Sequence, residues 1–131
     1  MNAFESAVAD VLEVESVALD TRFRETEGWC SLKAFGLLVM MENDWQAPVS
    51  IDAFLSFSTV RDLFRVAFTA FAARLFGVDA GTLKTAECGS MPQWDSVNHL
   101  RLVMEAEARF GVSYPLERIP NLRTIEDFIA A

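Results

Sequence analysis

Two serines stand in matching surroundings, Ser96 in Trp94-Asp95-Ser96-Val97 and Ser31 in Trp29-Cys30-Ser31-Leu32. A serine hydroxyl can attack as a nucleophile or carry a covalent group, and its neighbours decide which. His99 lies three residues after Ser96, close to the same helix face, which is the spacing of a serine–histidine pair. The sequence supplies neither an acid to orient His99 nor a Gly-rich turn to hold an oxyanion, so hydrolysis has little to rest on and His99 reads as a surface histidine. Taken alone, Ser96 is a first-turn serine and Asp95 an N-cap acid. Cys30 and Cys88 have no metal-ligand spacing and no histidine near them, so both read as reduced thiols and no metal is expected.

The elements that must position these serines repeat. Phe4, Ala7, Val8, Val11 and Leu12 form a helical stripe, and Phe68, Phe71, Ala72, Leu75 and Phe76 repeat its spacing 64 residues later. From Trp29 and Ser31 onward the shift is 65, pairing them with Trp94 and Ser96, then Leu37 with Leu102, Phe54 with Ile119 and Phe57 with Leu122. Apolar positions keep facing apolar positions across four elements, the mark of a duplicated unit whose surface has drifted. Helices are predicted at residues 3–14, 31–45, 51–55 and 59–67, and again at 66–77, 96–110, 116–119 and 124–130. Thr59 and Thr124, each three residues before an acid, Asp62 and Asp127, read as capping-box starts of the two final helices. No Gly, Pro or polar cluster interrupts 59–76, so the last helix of one unit is predicted to run on into the first helix of the next. Its near-continuous apolar surface predicts two units packed together. The expected fold is all-α: two tandem four-helix bundles, residues 1–66 and 67–131. Trp29, Trp94, Phe35 and Leu100 are expected in their cores.

The stretch Trp94-Asp95-Ser96-Val97-Asn98-His99-Leu100, with Leu102-Val103-Met104, Pro115-Leu116-Glu117-Arg118-Ile119 and Thr124-Ile125-Glu126-Asp127-Phe128 downstream, resembles the acyl carrier protein family. The resemblance covers residues 68–131. It implies that Ser96 carries 4'-phosphopantetheine, delivered from coenzyme A by a phosphopantetheinyl transferase, with Asp95 and Val97 as motif neighbours. Acyl groups would then ride as thioesters on the arm in a polyketide, fatty-acid-like or other specialised pathway, and the chain itself would catalyse nothing. A phosphodiester at a helix start suits the free N–H groups and positive dipole end there. The first unit also looks like a carrier, with Ser31 as a second possible attachment site, but Cys30 replaces the family's acid beside it and Leu32 follows. Its alternative is a carrier fold kept for packing or docking. A peptidyl carrier would show a Gly-Gly-x-Ser pattern, which neither serine matches. An unmodified interaction module is the rival of a different class.

Charge narrows the partners. The chain has 19 acidic and 11 basic residues, a formal charge of −8, which disfavours nucleic acid and anionic membranes and favours basic protein surfaces. Partners implied by the resemblance are acyl-loading and acyl-accepting enzymes such as a ligase, acyltransferase or ketosynthase. Glu105 and Glu107 are balanced by Arg101 and Arg109 on the serine helix, a diluted acidic stripe that suggests a dedicated pathway partner. The longest apolar run, Leu37 to Met41, is too short to span a bilayer, and the start shows no signal pattern. A cytoplasmic monomer without membrane insertion is expected.

Overall fold

The computed structural model describes Met1 to Ala130, and the chain is all-α; among these residues the one extended pairing is a single bridge between Arg22 and Thr59. It divides into two compact units, Met1–Ala67 and Phe68–Ala131. The division falls inside one uninterrupted helix, α4, in keeping with the missing breakers between Thr59 and Phe76.

The first unit contains α1 (Ala3–Leu12), a 3-10 turn (Phe23–Glu25), α2 (Ser31–Asn43), α3 (Ile51–Ser56) and the first half of α4 (Val60–Phe76). Asn2 starts α1 with a complete capping box: its Oδ1 accepts from Glu5 N at 2.7 Å and its own N–H donates to Glu5 Oε1 at 2.8 Å. Of the stripe read from the sequence, Phe4, Val8 and Leu12 are buried and Ala7 and Val11 half-buried. Phe4 meets Trp45 at 5.1 Å and Phe64 at 5.3 Å, closing the core between α1, the end of α2 and α4. α1 and α2 approach closely at Gly36, where an added Cβ would stand 2.9 Å from a Val11 methyl. A larger side chain at Gly36 should force these helices apart.

The second unit contains the rest of α4, the single turn α5 (Ala80–Leu83), α6 (Ser96–Phe110), a 3-10 segment (Leu116–Asn121) and α7 (Ile125–Ala130). Phe68 stacks on Phe110 at 5.4 Å and meets Phe128 at 5.5 Å, joining α4, α6 and α7. Tyr114 packs against Phe128, its hydroxyl donating to Phe128 O at 3.3 Å, and burial holds the phenol well above its usual pKa, with Glu107 adding to the shift. Two elements differ from expectation. Residues 77–81 read as a loop because of Gly77 and Gly81, yet α5 forms there to bury Leu83. The third element is 3-10 helix through Asn121, with Pro120 inside it, because proline cannot supply an α-helical N–H.

Several backbone hydrogen bonds recur at a fixed shift along the chain. Glu13 N to Asp10 O and Val14 N to Ala9 O recur as Gly77 N to Arg74 O and Val78 N to Ala73 O, a shift of 64. Thr21 N to Ala18 O, Trp29 N to Thr26 O and Phe57 N to Phe54 O recur as Ala86 N to Leu83 O, Trp94 N to Met91 O and Leu122 N to Ile119 O, a shift of 65. The extra residue therefore lies in the segment that includes α5. Glu13 and Gly77 both take left-handed φ, 57° and 70°, at equivalent helix ends.

The final helices are capped as their sequences predict. Asp62 Oδ2 accepts from Ser58 N and Thr59 N, and Asp127 Oδ2 accepts from Arg123 N and Thr124 N. In the second unit Thr124 Oγ1 reciprocates by accepting from Asp127 N, completing the box. The bond from Arg123 N is the largest influence holding the Asp127 carboxyl below its ordinary range, and the Thr124 bonds lower it further against slight desolvation. A depressed carboxyl contributes stability that is present above its ordinary pKa and lost as pH falls through the folded value. The melting temperature should therefore drop as pH falls below about 4, and Asp127→Asn should lower it at neutral pH while flattening the acid limb. An acid limb identical in wild type and variant would remove Asp127 from this account.

Candidate functional site

Asp95 ends the loop before α6 in extended conformation, and its Oδ1 accepts from Asn98 N at 2.8 Å. Asn98 Nδ2 donates back to Gln93 O at 2.9 Å, fixing the entry into the helix. Ser96 is the first residue of α6 and is exposed, so its hydroxyl stands at a helix start whose N–H groups favour an attached anion. Asp95, Ser96 and Val97 thus form one cluster at the surface.

Directly behind Ser96 the structure corrects the reading of His99. It is 8% exposed, not a surface residue. The indole N–H of Trp94 donates to His99 Nδ1 at 3.0 Å, which leaves Nε2 as the protonated nitrogen, donating to Ile119 O at 3.1 Å. Both ring nitrogens are thereby engaged away from the Ser96 hydroxyl. His99 acts as a strut that fastens the 3-10 segment to the start of α6. Trp94 itself is fully buried against Phe76.

Between α6 and that fastened segment lies a groove of about 370 Å³ with Ser96 on its wall. Leu100, Ile119, Pro120 and Leu122 give it an apolar lining, and His99, Cys88 and Arg123 complete it. The loop side is tied by Cys88 N donating to Arg123 O at 2.8 Å and Arg123 Nη2 donating to Cys88 O at 3.2 Å. No spacing in the sequence announces this groove, because it is assembled from three separate elements.

Ser31 occupies the equivalent first position of α2 and is likewise exposed, with Leu32 beside it. Its N-cap differs. Cys30 offers only its carbonyl, which accepts from Lys33 N and Ala34 N, and makes no side-chain cap. Cys30→Asp should supply the missing carboxylate to the free N–H groups of α2 and stabilise the chain by about 1 kcal/mol, read as a rise in melting temperature; no rise would mean the α2 start cannot adopt the Asp95 geometry.

Four expected core residues divide. Trp94 is buried and Trp29 half-buried, whereas Phe35 is 63% and Leu100 49% exposed. The two exposed residues belong to apolar stripes at helical spacing: Leu32, Phe35 and Val39 on α2, and Val97, Leu100 and Met104 on α6. Ile51 and Leu116 extend the pattern on the following elements. Each member of one set lies 65 residues from its counterpart in the other, so the 65-residue register relates exposed apolar positions as well as buried ones.

Among the described residues no group of three His, Cys, Asp or Glu side chains could hold a metal ion, and no helix is long and apolar enough to cross a membrane. No family model, curated protein or solved structure matches the chain.

Proposed function

We propose that this chain is a noncatalytic acyl carrier built from two tandem carrier-like bundles, with 4'-phosphopantetheine esterified to Ser96. The observation that carries the reading is an exposed serine hydroxyl at a helix start, on the wall of an apolar groove. The group when bound would supply a thiol that holds acyl cargo as a thioester. The chain's own residues would anchor and shelter. The α6 N–H groups would face the phosphodiester, Asp95 would keep the helix start in place, and Leu100, Ile119 and Leu122 would offer apolar surface to the cargo. Ser31 is the second candidate site. A chain whose first unit only docks, leaving Ser96 as the working serine, is the variant favoured by the uncapped Cys30 start.

The partners in this reading are a phosphopantetheinyl transferase and the enzymes that load and unload the arm, in the cytoplasm, with the chain acting as a monomer in a polyketide, fatty-acid-like or related pathway. The stripe Val97, Leu100 and Met104 begins beside Ser96 and would meet any enzyme that works on that hydroxyl. Leu100→Asp should slow loading about tenfold, the effect of losing roughly 1.4 kcal/mol of an interface contact, while leaving the helical circular dichroism unchanged. An unaltered rate would place the enzyme contact elsewhere.

The reading is tested by the intact mass of the chain coexpressed with a broad-specificity transferase, followed by peptide mapping. An arm on Ser96 supports it. A chain without any arm turns it into an unmodified interaction module.

A further inference from the structure

The two units treat one carbonyl in opposite ways. In the second unit Ile119 O accepts from His99, which reaches it from α6. Its counterpart 65 residues earlier is Phe54 O, and α2 has Ala34 where α6 has His99. Beside the backbone bond that each carbonyl accepts, from Phe57 N and from Leu122 N, the side-chain donor to Phe54 O is Arg24, whose Nη2 donates to it at 2.7 Å and whose Nη1 donates to Phe57 O. The guanidinium lies 4.8 Å from the Phe23 ring centroid and 5.0 Å from that of Phe54, filling the space between them and these carbonyls. Phe54 and Phe57 are the counterparts of Ile119 and Leu122, which line the groove beside Ser96.

The register identifies what stands in the place of Phe23 and Arg24 in the second unit. The 65-residue shift holds on both sides of this point, from Thr21 and Ala86 to Trp29 and Trp94. Phe23 therefore corresponds to Cys88 and Arg24 to Gly89. A fully buried ring and a long cation are replaced by a short thiol and by no side chain at all, and Cys88 is on the groove wall. Gly89 at φ 88° also turns the backbone away from the 3-10 path that carries Arg24.

We infer that Arg24, seated on Phe23, is a built-in plug that closes the first unit's counterpart of the Ser96 groove, so that only the second unit can shelter an apolar chain. The assignment of the groove as a cargo shelter rests on the carrier reading; the plug itself rests on the geometry of Arg24. Even an arm attached to Ser31 would then hold its cargo exposed, and the two units would be unequal by design of the cleft as well as of the serine motif.

The experiment uses two probes on the full chain by amide and methyl NMR. Pressurised xenon reads apolar space alone, and the octanoyl thioester of N-acetylcysteamine reads space suited to a cargo end. In the wild type both probes should shift Leu100, Ile119 and Leu122 and leave Phe54 and Phe57 unmoved. Arg24→Ala should bring Phe54 and Phe57 into the xenon response. Because that variant removes the Arg24 bonds to Phe54 O, which keeps Phe57 N, and to Phe57 O, the transplant Phe23→Cys, Arg24→Gly, Ala34→His supplies a histidine partner for Phe54 O and keeps the test valid if the single variant unfolds. Xenon shifts at Phe54 or Phe57 in the wild type, or none there in a folded variant, overturn the plug. Xenon opening at Phe54 without thioester binding at Leu100 and Leu122 upholds the plug and overturns the cargo shelter.

Discussion

Ser96→Ala is expected to lose all transferase-dependent mass on the second unit, a change from complete loading to none, with the fold intact. The substitution removes an exposed hydroxyl from the first position of α6, while the cap itself is made by Asp95 to Asn98 N and is untouched. Alanine is also the better helix former, so secondary structure and melting temperature should hold or rise slightly. Any arm that remains must then map to Ser31, and its removal by Ser31→Ala would establish two carriers in one chain. An arm found elsewhere in the second unit after Ser96→Ala would overturn the assignment. The comparison separates chemistry from stability because the deleted atom faces solvent.

What the sequence made legible follows from how local each feature is. The Thr59–Asp62 and Thr124–Asp127 starts depend on residues three apart, and both acids accept the predicted backbone bonds. The stripe of α1 and its echo in α4 depend on helical period: Phe4, Val8, Leu12, Phe68, Ala72 and Phe76 are buried, while Ala7, Val11, Phe71 and Leu75 are half-buried at the edges. Period alone cannot tell an apolar face turned inward from one turned outward, which is why Phe35 and Leu100 read as core residues and lie at the surface. The sequence misplaces His99 for a related reason: its partners are Trp94, five residues back, and the carbonyl of Ile119, twenty residues on, and only the tertiary fold brings the latter to it. The groove and the Arg24 plug are tertiary in the same sense. Their clue, Phe23-Arg24 against Cys88-Gly89, is present at the 65-residue register but carries no meaning until the carbonyls of residues 54 and 119 are seen to take different side-chain donors.

Trp94→Ala should be the most damaging single substitution, and Trp29, 65 residues earlier, supplies its control. Trp94 is completely buried, meets Phe76 at 5.4 Å, and gives its indole N–H to His99. Truncation opens a cavity, costing about 3–5 kcal/mol, and leaves His99 Nδ1 without its donor, adding about 1 kcal/mol or more. A unit of this size has a total stability of roughly 3–10 kcal/mol, so the loss reaches the scale of the whole. Trp29, at the matching position, is half-buried, meets Phe23 at 5.6 Å, and has Ala34 where Trp94 has His99. Trp29→Ala should therefore cost distinctly less. Urea titrations of the two variants should show the larger drop in midpoint for Trp94→Ala, with loss of amide protection concentrated at Leu102, Val103 and Phe128. Equal drops would mean that the indole–imidazole–carbonyl strut contributes nothing beyond the burial of a ring. His99 would then be a passenger in the core, and the support of the groove wall beside Ser96 would have to come from the Cys88–Arg123 backbone pair.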